Sequence, residues 1–148
     1  MRAICADPVK DAHKLWRRLV FNLLTNNVDD HPHNLGFLHV AKRQWQLAPA
    51  FDLKPFRDKD RESKTWLSED TGAITSVDDL MKQASYFHLS DAQALQILSE
   101  LVDAVSAWRS VGAGAPLVLS ASELVEFAPA FEYVQMNRAE ALPGRRSG

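Results

Sequence analysis

NNVDDHPHN, residues 26–34, crowds two carboxylates, two histidines and three amides into nine positions. Its reading decides the fold, because of what stands on each side. Before it, Leu15, Trp16, Leu19, Val20, Leu23 and Leu24 recur at three- and four-residue steps, which predicts a helix over 8–26. Pro8 suits its first turn, and His13, Lys14, Arg17 and Arg18 fall mostly on the opposite side. Asn and Asp then favour a turn, and Pro32 forbids helical continuation.

After the polar cluster, LGFLHVAKRQWQLAPAFD (35–52) reads as two short strands, near 35–40 and 44–48, around a turn at 41–43. That turn has neither Gly nor Asn. Pro49 closes the second strand and Asp52 follows. Residues 54–76 alternate both signs of charge and read as a solvated loop. Helices return at 77–86 and 90–109. Ser90 with Gln93 makes a capping box for the second of these, and Ala92, Leu95, Leu98, Leu101, Val102, Val105 and Trp108 form its buried stripe. Gly112 and Gly114 end it. Ser120 and Glu123 repeat the capping box before a last helix, which Pro129 bends. Residues 141–148 read as a disordered tail. The expected fold is mainly α, one domain over 1–140, with a small β-hairpin inside it and with Trp16, Trp45 and Trp108 in the core.

The totals narrow the function classes. The chain has 148 residues, enough for one cored domain, and a formal net charge of -2. No basic excess argues for direct nucleic-acid binding. No apolar run approaches the roughly 20 residues of a membrane span, and the N-terminus has no signal-peptide core. A single cysteine, Cys5, read as an idle thiol, fits a reducing cytoplasm.

The order of the polar residues carries the chemistry. A hairpin returns the chain to near its start, so Asp52 can sit beside Asn34 although 18 positions separate them. Asp29, Asn34 and Asp52 then converge as three oxygen-bearing side chains. Phosphoryl transfer needs such a set: a carboxylate to receive the hydroxyl proton, and hard oxygen ligands for magnesium beside the phosphates. Protein kinases carry D-x-x-x-x-N in the catalytic loop and a second, magnesium-holding Asp past a hairpin. Asp29 and Asn34 have that spacing and Asp52 is the downstream carboxylate. The spacing alone is a weak signal; the helix before it and the Asp-closed hairpin after it strengthen it.

LWRRLVFNLLTNNVDDHPHNLGFLH (15–39) with WQLAPAFDLKP (45–55) closely resembles the C-terminal lobe of HipA-family serine/threonine kinases, the toxins of HipA/HipB toxin–antitoxin modules. ASYFHLSDAQALQILSELVDAVSAWRSVG (84–112) looks like the family's later helices, including the Trp-Arg pair, so the resemblance covers most of 10–135. It implies a kinase-like helical lobe whose hairpin joins a catalytic loop to a magnesium-binding loop. It implies Asp29 as the catalytic proton acceptor, Asn34 and Asp52 as the Mg2+ ligands, and His31 in the ATP-contacting loop. Phe51 stands where many members have Tyr. His33 stands where many have Lys or Arg, and a neutral imidazole lacks their permanent charge beside phosphates.

Nothing in the chain matches the family's N-terminal lobe, with its phosphate-binding loop and ATP-gripping lysine. The expectation is therefore half a kinase: a fragment, one part of a split kinase whose N-lobe is a separate chain, or a decayed gene product. Its implied partners are a protein Ser/Thr substrate and a HipB-like DNA-binding antitoxin. Two other readings stand beside it. One is a non-catalytic lobe that only holds the antitoxin-like partner. The other is a metal-dependent hydrolase using His31, His33, Asp29 and Asp52. Taken singly, Asp29, Asn34 and Asp52 are ordinary turn or cap residues, and Asp30 is structural.

Overall fold

A computed structural model describes residues 5–28, 32–57, 74–142 and 144. Helix α1 (Pro8–Leu24) starts where Asp7 accepts the Lys10 N–H at 3.0 Å and Pro8 takes the first turn. A 3-10 turn (Pro32–Asn34) leads into strand β1 (Phe37–Ala41) and strand β2 (Gln44–Leu47). Then follow α2 (Val77–Lys82), a 3-10 turn (Ala84–Phe87), α3 (Asp91–Ser106), α4 (Trp108–Ala113), α5 (Ala121–Phe131) and α6 (Val134–Glu140). The fold is mainly helical with one antiparallel hairpin.

The core lies between α1, α2, α3 and α6. Trp16 is fully buried against Phe87, ring centroids 5.3 Å apart, among Val20, Leu24, Leu80, Leu98 and Val102. Bidentate Arg138–Asp78 contacts at 2.7 Å and a Val77 N–H to Gln135 Oε1 bond of 2.9 Å tie α2 to α6. Arg17 and Glu100 join α1 to α3 at the surface, 2.9 Å apart. Both capping boxes form, at Ser90–Gln93 and Ser120–Glu123.

Several expectations need correction. The stripe on α3 is Ala94, Leu98, Val102 and Val105, with Leu95 and Leu101 half-buried. Ala92 is exposed, because it stands two residues from Ala94 and so on the opposite side of the helix. The helix expected over 90–109 breaks at Ala107. There Trp108 stacks on Phe131 at 4.7 Å, and Arg109 lies over Trp108 while gripping Glu132 at 2.6 and 2.9 Å. These contacts turn the chain into α4. Gly114 caps α4, but Gly112 is buried inside it: a Cβ there would stand 3.0 Å from Leu124. The helix expected over 77–86 stops at Lys82, and left-handed His88 ends the 3-10 turn that follows. The last helix runs through Pro129 and divides at Glu132 and Tyr133. Trp45 is 36% exposed on the hairpin, not core. The hairpin turn closes with Arg43 in the left-handed region, at φ 59°, in place of a glycine. Most of the expected tail lies outside the described residues, though Leu142 packs on the core.

Candidate functional site

Two side chains of α1 hold the hairpin from below. Asp11 is 1% exposed, and its carboxylate accepts the Leu47 N–H at 3.0 Å and the Lys14 ammonium at 3.2 Å. Arg18, two turns further along the same face, donates from Nη2 to the Ala48 carbonyl. Burial pushes the Arg18 guanidinium down from its ordinary value, while the Asp11 charge pulls it back up. The hairpin therefore covers the Asp11 and Arg18 edge of α1, while Arg17 stays at the surface. Cys5 belongs to this edge too: the segment at Cys5 bridges Trp45 in parallel, and the Ala6 N–H reaches the Trp45 carbonyl at 2.8 Å. Burial and the nearby Asp11 push the Cys5 thiol up, away from the reactive thiolate.

The ladder pairs Phe37 with Leu47 and Leu38 with Gln46, and its open end continues through the Ala48 N–H to the Gly36 carbonyl at 2.8 Å. Gly36 lets the two sides close. A Cβ there would stand 3.2 Å from the Phe51 ring and 3.4 Å from Ala48. The hairpin thus brings the segment after Asn34 against the residue before Asp52, as the spacing predicts. Asn34 is half-buried in its 3-10 turn. Asp52 takes the left-handed backbone region at φ 53°, which Asp tolerates better than most residues. Its carboxylate is exposed, and the Lys54 ammonium lies 2.8 Å from it.

The rest of the loop is braced from the far side. At the end of α1 the Thr25 hydroxyl donates to the Phe21 carbonyl at 2.9 Å. Asn26, left-handed at φ 49°, donates from Nδ2 to the Phe56 carbonyl at 2.9 Å. That bond ties the start of the polar cluster to the chain beyond Asp52. Tyr133 reaches the same place: burial pushes its phenol well up, and a hydrogen bond to the Asn26 backbone pulls the other way. Asn27 is buried, its Nδ2 on Asn22 Oδ1 at 3.1 Å and its own Oδ1 without a hydrogen-bond partner. Arg57, expected in a solvated loop, lies over the Phe127 ring and pairs with Glu126 at 2.8 Å.

Asp29, Asp30 and His31 lie outside the described residues, after Val28, which is buried. Residues 58–73 lie outside them as well. Among the described residues no group of three or more His, Cys, Asp or Glu side chains could hold a metal ion. Asp29 and His31, half of the hydrolase set, are not among those residues. No described helix is long and apolar enough to cross a membrane.

The HipA-like C-terminal domain family matches residues 1–108. The chain belongs to that family. The match spans α1, the hairpin, α2 and α3; Tyr133, Glu126 and Phe127, which brace the loop from the far side, lie beyond it. No curated protein and no solved structure is similar enough to match. In this domain the hairpin is fastened to α1 by Asp11 and Arg18, and Asn26 at the end of α1 is bonded to the Phe56 carbonyl beyond Asp52. Sequence reasoning missed Asp11, Arg18, Asn26, Lys54 and Tyr133. Asp11 had a signal: it stands four residues before Leu15 and five before Trp16, at the edge of the apolar stripe, where a carboxylate is rarely left without a partner.

Proposed function

We propose that this chain is the catalytic-loop lobe of a HipA-like protein serine/threonine kinase, which transfers the ATP γ-phosphoryl group to a protein Ser or Thr. The observation that carries the reading is the hairpin register, which sets the Asn34 segment beside the Asp52 segment in a HipA-family fold. Asp29 orients the substrate hydroxyl and receives its proton on a carboxylate oxygen. Asn34 and Asp52 supply hard oxygen donors suited to Mg2+. The Asp52 carboxylate is already presented to a cation, the Lys54 ammonium, which supports the fit. When bound, magnesium neutralises charge developing on the phosphates. The family resemblance assigns His31 to nucleotide contact. Residues 1–140 form the domain.

Catalysis of this kind is positioning and electrostatics. None of these 148 residues reads as a Gly-rich phosphate loop, so this lobe tested alone is expected to bind Mg-ATP weakly and transfer phosphate negligibly. Its full activity, and a toxin role opposed by a HipB-like antitoxin, belong to an assembly with an N-lobe. Photoaffinity labelling with 8-azido-ATP tests the reading. Labelling that needs Mg2+, is blocked by ATP and is lost in Asp52→Asn is expected. Labelling indifferent to all three contradicts it.

A second reading, a lobe that only docks a protein partner, is favoured by one observation. Leu38 and Val40, on one face of the hairpin, are each 46% exposed, and Phe51 and Leu53 are exposed beside the site. Concentration-dependent self-association without nucleotide binding would favour it.

A further inference from the structure

Asp52 and Lys54 form an ion pair across a single intervening residue, Leu53. Their side chains are 39% and 57% exposed, and the ammonium stands 2.8 Å from Oδ1. The backbone at Asp52 is left-handed, at φ 53°. Backbone in that region is kept where the surroundings fix it, and such positions cluster at functional sites. The carboxylate thus has a cation of its own chain on its oxygen. A divalent cation approaching the same oxygen meets two obstacles. It must take the carboxylate from the ammonium, and it must then tolerate a like charge a few ångströms away.

We propose that the Lys54 ammonium is a resident counter-cation on Asp52 which a divalent metal has to displace, so that Lys54 sets the metal affinity of the site. This rests on the reading of Asp52 as a magnesium ligand. Lys54 is a positioning residue in this account: it acts on the metal through Asp52.

The test is a titration of Mn2+ alone into the full chain, followed by electron paramagnetic resonance of the free ion. Wild type, Lys54→Met, Lys54→Arg and Asp52→Asn are compared. An exposed pair of this kind gives Lys54→Met an affinity about two- to fivefold tighter than wild type. Lys54→Arg keeps the charge and stays near wild type, while Asp52→Asn loses the site. A purely structural Lys54 would move thermal stability and leave the Mn2+ affinity unchanged. Equal Mn2+ affinity in wild type and Lys54→Met overturns the inference and leaves the magnesium reading standing. Binding that survives Asp52→Asn, or no Mn2+ on any of the four proteins, overturns both.

Discussion

The buried Asp11 carboxylate accepts the backbone N–H of Leu47 at 3.0 Å, joining the first helix to the second strand of the hairpin. A two-stranded hairpin alone is marginal in water. Here it is held by that bond, by Arg18 on the next carbonyl, and by the N-terminal segment along Trp45. The site depends on this anchorage, since Gly36 and Phe51 lie at the hairpin's open end.

Asp11→Ala leaves the Leu47 N–H buried without its acceptor. It is expected to cost about 2 kcal/mol of stability, read by urea unfolding. Asp11→Asn keeps an acceptor oxygen at the same place and should cost less. Equal losses in the two variants would show that the charge, and not the hydrogen bond, holds the strand.

Gly36→Ala places a methyl 3.2 Å from the Phe51 ring. Phe51 is 44% exposed and can move, so global stability should change by less than about 1 kcal/mol. The displaced ring precedes Asp52 directly, so Mn2+ affinity should fall. Adding Phe51→Leu to Gly36→Ala makes room and should restore part of that affinity. A double variant no better than Gly36→Ala would show that the ring contact does not position Asp52.

The Arg109 guanidinium holds the Glu132 carboxyl below the ordinary glutamate value of 4.5, against a weaker opposing effect of burial. A carboxyl lowered in the folded state contributes stability above its unfolded value, and loses it as pH falls through the folded one. The thermal midpoint of wild type should therefore drop more steeply below about pH 4.5 than that of Glu132→Gln, measured between pH 6 and 3. Parallel curves would mean the pair contributes nothing to the α4–α5 corner.

Much of this was legible in the sequence because the signals were local. Three- and four-residue apolar spacing gave α1 and α3, the two Ser capping boxes fixed the starts of α3 and α5, and the two short runs around residues 41–43 gave the hairpin. What was hidden depends on distant partners. The break at Ala107 follows from Trp108 on Phe131 and Arg109 on Glu132, contacts more than 20 residues apart in sequence. The burial of Arg18 follows from the hairpin folding over a flank that periodicity marks as polar. Trp45 looked like core by residue type, yet it stands two residues further out along the strand than Leu47, where α1 grips the hairpin, and is 36% exposed.

Calorimetric titration of Mg-ATP into the wild-type chain and into Asp52→Asn tests the central claim most directly. Asn shares the tolerance of Asp for the left-handed backbone at φ 53°, so the substitution removes charge without adding strain. Weak binding in wild type, abolished in Asp52→Asn with the fold unchanged, is the predicted result. No binding to wild type at millimolar Mg-ATP, or equal binding to both proteins, would contradict it.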